Sequence, residues 1–347
     1  MTKKGKRSAT FSRLALAGLA YVGFLGLGHA QDAADFYRGK TVDVYVGYSV
    51  GAGYDLYARL VGRHLGKHIP GNPTVIVKNM EGAGSLRLVN WLYSAAPKDG
   101  TALGTFSRGA PFDPILGRTG AKFDPVNFAW VGSANNEVSV CVAMRESNVA
   151  TFDDLKKQEI VVGSSGVTSD DNTFPLVLNK MFGTKMRVIT AYPGGNEVTL
   201  AMERGEVSGR CGWSWSSLLS AYAHWVKDKK VNILAQFGLS KHADLPNVPL
   251  VTDFARNDQE RQALRLVFAR QPLGRPFSAP PGLPPERLNA LRRAFDATMK
   301  DKEFVAEANK ANIEINPMSG LEIEQLIRQI YAETPKDVAK MVAEMIK

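Results

Sequence analysis

Val42-Asp43-Val44-Tyr45-Val46-Gly47-Tyr48-Ser49-Val50-Gly51-Ala52-Gly53-Tyr54-Asp55-Leu56-Tyr57-Ala58-Arg59 is the stretch that decides the fold. Its first residues alternate apolar and polar, as a half-buried strand does, and the residues from Leu56 onward carry a helical pattern. A glycine-rich turn joins the two. Such a turn presents bare backbone N–H groups at the positive end of a helix dipole, where proteins hold phosphates and carboxylates. A small anion is therefore expected against Tyr48, Ser49, Gly51, Gly53 and Tyr54. The bland alternative is that Gly51 and Gly53 only permit a tight turn. Asp55 has two readings as well. An Asp just before a helix is a good N-cap, and a carboxylate in an anion site repels the ligand unless a water or a ligand ammonium intervenes.

The same grammar recurs along the chain. A strand over 74–78 feeds Asn79-Met80-Glu81-Gly82-Ala83-Gly84 and a helix over 85–93. A strand over 101–106 ends at Ser107-Arg108. Further on, 160–162 runs into Gly163-Ser164-Ser165-Gly166-Val167-Thr168, and 186–190 into Ala191-Tyr192-Pro193-Gly194-Gly195-Asn196. Helices follow both. Strands over 207–211 and 231–239, a helix over 286–300 and a helical end over 321–345 complete the pattern. Alternating strands and helices argue an α/β architecture with mostly parallel sheets. The glycine turns fall into two groups, before and after about residue 132. In open parallel sheets ligands sit at the carboxyl ends of strands, so two lobes aiming helix N-termini at one cleft would clamp one small anion.

The first thirty residues read as a signal peptide: a basic start, an apolar core over 14–27, then Gly28-His29-Ala30 at the cleavage position. A membrane anchor is the rival, but the core is shorter than the ~20 residues a spanning helix needs. A periplasmic protein starting near Gln31 is expected. The 347 residues carry a formal net charge of +9. The leader holds five basic residues (Lys3, Lys4, Lys6, Arg7, Arg13) and no acidic one, so its removal leaves +4 on 317 residues. That charge is mild and forms no basic run, which argues against nucleic acid or an acidic membrane as partner. Cys141 and Cys211 are the only cysteines. They are either two buried free thiols or one disulfide within a lobe.

Catalytic patterns are missing. Gly51-Ala52-Gly53 lacks the third glycine of a dinucleotide fingerprint, and no Lys-Ser/Thr follows as in a P-loop. His64 and His68 share a helix face at i, i+4 but lack the zinc-protease Glu, and a solvated helix end is the simpler reading. Ser164 and Ser165 lack the flanks of a nucleophile elbow. No enzyme activity, cofactor or metal is expected.

Six blocks in order resemble the extracytoplasmic solute receptors of tripartite tricarboxylate transporters, the Bug-type periplasmic binding proteins. Val46 to Asp55 with Ala58-Arg59 is similar to their first ligand loop, and Asn79 with Gly82-Ala83-Gly84 to their second. Ala96-Pro97 with Asp99-Gly100-Thr101, and Tyr192-Pro193-Gly194-Gly195 with Gly205-Glu206-Val207, continue the likeness. Leu245-Pro246-Asn247-Val248-Pro249 and Ala279-Pro280-Pro281-Gly282-Leu283-Pro284 complete it. Two departures stand out: Gly47-Tyr48-Ser49 replaces a usual Pro-Phe-Pro, and Met80-Glu81 stands where Arg-Pro is common. The resemblance implies a two-lobed type II binding-protein fold with a ligand cleft between lobes and a hinge of two crossing segments. Residues 31–131 and 239–347 would form lobe 1, and 132–238 lobe 2. It also implies a ligand carboxylate gripped by loops of both lobes, partly through water, in a monomer that serves membrane permease subunits. Asp55 would then face ligands that carry an amino group.

Other site candidates come from placement. Ser164, Ser165, Gly166 and Thr168 offer donors from lobe 2, and Tyr192, Gly194, Gly195 and Asn196 a second helix N-terminus. Arg108 ends a strand at the cleft and would pair with a distal carboxylate, or it is a surface arginine. Trp213 is either core or, with Tyr48, Tyr54 and Tyr192, the wall of a pocket for a ring-bearing acid. The function expected is capture of a small organic acid for uptake. A ligand sensor that docks on a signalling partner uses the same clamp and stays open as an alternative, and a secreted hydrolase is a third. Closure is expected to hinge on Val131-Gly132-Ser133 and 235–239.

Overall fold

The computed structural model describes residues 1–2, 33–190 and 192–347. Apart from its first two residues the expected leader lies outside these, as does Ala191. No described helix is long and apolar enough to cross a membrane.

Two sheets build the molecule. The first holds β1 (Thr41–Val46), β2 (Thr74–Asn79), β3 (Ala102–Thr105), β4 (Ala129–Ser133), β10 (Pro276–Ala279) and β11 (Met318–Ser319), in the order β11-β4-β10-β3-β1-β2. The second holds β5 (Ser139–Met144), β6 (Ile160–Ser164), β7 (Met186–Thr190), β8 (Gly209–Ser214) and β9 (Val231–Phe237), ordered β7-β6-β8-β5-β9. The alternation in β1 is what its sequence implies: Val42, Val44 and Val46 are fully buried while Thr41, Asp43 and Tyr45 face outward.

The sheets are mixed rather than mostly parallel. β1 runs parallel to β2 and β3, and β6 to β7 and β8, because these strands are joined by crossover helices. β10 and β11 run antiparallel to their neighbours in the first sheet, and β5 does so in the second. β5 and β10 are the strands the chain enters on passing from one sheet to the other.

Four helices begin at the cleft between the sheets: α1 (Gly53–Leu65), α4 (Asp170–Phe182), α5 (Gly195–Glu203) and α6 (Trp215–Lys227). α2 (Leu86–Ser94) and the short α3 (Asp154–Lys157) lie between them in sequence. α7 (Asp258–Phe268), α8 (Pro285–Lys300), α9 (Lys302–Lys310), α10 (Gly320–Glu333) and α11 (Lys336–Met345) follow. α3, α6, α7 and α9, and the strands β4, β10 and β11, have no counterpart in the elements expected from sequence. The break at Thr334-Pro335 is present, since proline cannot continue α10.

After β9 the chain stays on the second sheet. Gln236 bridges Leu250, Phe254 stacks on Phe152 at 4.4 Å, and Phe268 packs edge-on to Phe174. The two passages between sheets are therefore 134–138 and 270–275, the second of them later than 235–239. They lie side by side: Glu137 N–H donates to the Gln271 carbonyl, and Ala134 N–H to that of Arg275. Behind them one apolar cluster is continuous across both halves, from Leu88 and Phe106 through Phe174 and Leu264 to Ile327 and Val342. α10 packs on β4 while α11 packs on α7 and α4.

Candidate functional site

The opening turn reaches the cleft as its sequence implies. Gly51 has φ +77°, a left-handed conformation that glycine adopts without strain. α1 follows with Ala52 at its N-cap and no side-chain cap. The backbone N–H groups of Gly53 and Tyr54 have no hydrogen-bond partner among the described residues, as expected of an uncapped first turn. Across the cleft α5 starts in the same way after Gly194, leaving the N–H groups of Gly195 and Asn196 open.

Asp55 is not the N-cap. It is the third residue of α1, fully buried, and accepts from Gly51 N–H (2.7 Å), Arg59 Nε (2.8 Å) and Asn79 Nδ2 (2.8 Å). Burial pushes its carboxyl up, but the hydrogen bonds from Arg59, Gly51 and Asn79 outweigh this and hold it below the usual range. Asn79 also donates to the Tyr48 carbonyl and accepts from Arg59. Asp55, Asn79 and Arg59 thus brace the turn from beneath.

The space between the lobes measures about 60 Å³, room for a few waters. Ten of the residues singled out in the sequence line it: Tyr48, Gly51, Gly53, Tyr54, Ser107, Arg108, Ser165, Gly195, Asn196 and Trp213. A second group closes the lobes on each other outside it. Gly166 packs against Gly84, the Thr168 hydroxyl donates to the Gly84 carbonyl, and Ser49 Oγ donates to Glu197 (2.9 Å). A Cβ on Gly194 would collide with Ser49. Gly82, Ala83, Ser164 and Tyr192 also stand back from the cavity.

The chief surprise is ionic. Arg108, read as a partner for a distal ligand carboxylate or as a surface residue, is 2% exposed and pairs with Asp170 at 2.6 Å. It also donates to Ser139 and Ser214. Burial opposes its charge, yet Asp170 more than compensates and raises its pKa above the ordinary arginine value. Arg210 pairs with Asp171 at 2.7 Å and lies over the Trp213 ring; Arg275 pairs with Glu137 at 3.1 Å and lies over the Tyr54 ring. Tyr48 stacks on Tyr54 with centroids 4.8 Å apart, and its hydroxyl meets Ser169 at 2.8 Å. Burial, first of all, drives the Tyr48 phenol pKa well up, so it stays protonated. Trp213 is both core and wall, 2% exposed yet lining the cavity beside Tyr222.

Sequence reading missed Ser169, Asp170, Asp171, Thr199, Arg210, Ser214, Ser217, Tyr222 and Arg275. Asp170 and Asp171 carried one legible signal, two acids just after a glycine turn where a helix starts. Arg275 carried none, because it arrives from the returning chain. His64 and His68 do not form a solvated end either: their Nε2 atoms meet Glu307 (2.7 Å) and Asp301 (2.8 Å) and tie α1 to α9. His64, Asp301 and Glu303 are close enough to share an ion, but the Lys67 ammonium sits between the two acids at 2.7 Å from each.

Cys141 and Cys211, opposite each other on β5 and β8, are joined as a disulfide.

No protein-family model matches the chain, and no curated protein matches it by sequence. Solved structures do. The periplasmic binding protein BugD, 17% identical, superposes with a TM-score of 0.70 over 89% of this chain and 98% of its own. MatC of Rhodopseudomonas palustris with bound malate, 17% identical, gives 0.67 over 86% and 99%. Rpa4515 of R. palustris with adipate, 15% identical, gives 0.68 over 87% and 97%. The chain has the two-lobed α/β fold of the Bug- and TctC-type periplasmic binding proteins.

Proposed function

We propose that this protein is a periplasmic solute receptor that closes its two lobes on a small organic acid and delivers it to a membrane permease of the tripartite tricarboxylate type. One observation carries the reading: two uncapped helix N-termini, at Gly53 and Gly195, open from opposite lobes onto one cavity. A carboxylate between them accepts from both and holds the lobes together, so binding favours the closed form. The malate and adipate bound by similar folds put organic acids among the solutes such clefts take. The site acts by binding, and the protein works as a monomer.

A thermal-shift screen of the chain from Gln31 tests this, with organic acids run beside their amides. A solute that binds only the folded state stabilises it by about 2.7 kcal/mol at a hundredfold excess over Kd. Acids are expected to raise the melting temperature and the amides to leave it unchanged. Stabilisation by an amide equal to that of its acid would remove the carboxylate clamp.

A further inference from the structure

The cleft is nearly neutralised from within, and this bears on which acids it takes. Four guanidinium groups are buried at or behind it: Arg108, Arg210, Arg270 and Arg275. Three carboxylates of the protein answer them. Asp170 lies 2.6 Å from Arg108 and 3.5 Å from Arg270, Asp171 2.7 Å from Arg210, and Glu137 3.1 Å from Arg275. All three acids are nearly or fully buried. Asp171 is saturated, since Ser165 N–H and Oγ also donate to it. The excess charge resides on Arg270, whose Nε and Nη1 are buried behind Asp170 without a hydrogen bond and whose ion pair to it is the longest of the four.

Four positive groups against three negative ones leave one positive charge, and the Asp55–Arg59 pair beneath the turn changes nothing. We propose that the cleft selects solutes with a single carboxylate on a ring-bearing or apolar body, and that Asp170 and Asp171 set this selectivity by occupying the arginines a second carboxylate would need. A second ligand carboxylate has to displace Asp170 or Asp171, which leaves a buried carboxylate uncompensated, and such a group is costly in a low-dielectric site. The body of the acid meets Tyr48, Tyr54, Trp213, Tyr222 and Leu56, whose rings and aliphatic surface supply apolar contact.

This rests on the carboxylate reading above, and the experiment separates the two. Calorimetric titration of the mature chain uses monocarboxylates matched to dicarboxylates of the same skeleton, including hexanoate with adipate and 4-ethylphenylacetate with 1,4-phenylenediacetate. The monocarboxylates are expected to bind at least about tenfold more tightly than their partners. Asp171→Asn, which frees Arg210, and Asp170→Asn, which frees Arg108, are each expected to move that ratio toward the dicarboxylate. Circular dichroism checks that the variants fold, and the wild-type ratio stands without them. Dicarboxylates that bind the wild type as well as their monocarboxylate partners overturn the selectivity but leave the carboxylate clamp intact. So does an unchanged ratio in folded variants. Acids that fail altogether while their amides bind overturn both.

Discussion

Asp113 shows how burial can outweigh a neighbouring ion pair at a single group. It follows the 3-10 turn Ala110–Phe112 and is buried beside Arg118, with Nε and Oδ1 3.1 Å apart. Burial outweighs the attraction of Arg118 and Arg270 and pushes its carboxyl up to about 7. The folded protein therefore holds this proton more tightly than the unfolded chain. Its contribution to stability is fully present below pH about 4 and is lost as pH rises to about 7. Asp113→Asn keeps the shape and cannot ionise. The stability of the wild type relative to this variant is expected to fall by up to a few kcal/mol across that window and to level above it. Thermal unfolding at stepped pH measures it, and a difference flat with pH would show that Asp113 is ionised throughout. At this scale the sequence is least legible. Asp55 reads equally as cap or ligand, and only its buried bonds to Gly51, Arg59 and Asn79 show it bracing the turn.

The elements were far more legible, because strand alternation and glycine turns are local signals. β7 spans the residues expected of it and β2 and α8 differ by one residue, whereas α7 and α9 escaped notice. Polar residues outnumber apolar ones in both, and each is held by a cap (Asn257 and Asp301) and by packing on distant elements. The glycine turns gave up only half their purpose. At Gly166, φ +134°, a Cβ would strike the Gly84 backbone, so this turn is shaped for contact between lobes. Gly166→Ala is expected to hold the lobes apart, raise the radius of gyration in small-angle scattering and weaken solute binding by about tenfold or more. A variant as compact and as tight-binding as the wild type would assign the turn a purely local role. Between β5 and β8, the Cys141–Cys211 bridge closes a separation of 70 residues. The chain-entropy model gives a bridge of that span about 4 kcal/mol, and 2–4 kcal/mol is typical. Cys141→Ala with Cys211→Ala is expected to lower the unfolding free energy by that typical amount in denaturant titrations. Alkylation of both thiols in the non-reduced wild type would count against the bridge.

At the scale of the molecule, two adjacent crossings, 134–138 and 270–275, and the apolar cluster behind them hold the lobes in register. There Gly53 and Gly195 line one cavity from opposite lobes, and Asp170 of one lobe is seated against Arg108 of the other. By itself the sequence determined the α/β class, the two families of glycine turns and the helix N-termini that open on a cleft. Those properties follow from periodicity, backbone freedom and dipole orientation within a few residues. Only the tertiary structure decided that Arg108, Arg210 and Arg275 meet acids of the protein itself, that Gly84, Gly166 and Gly194 serve lobe contact, and that the second crossing waits until 270–275. Each of these depends on pairing groups tens to well over a hundred residues apart. Whether a buried charge is free or already answered is settled by which partner the fold places within hydrogen-bond reach.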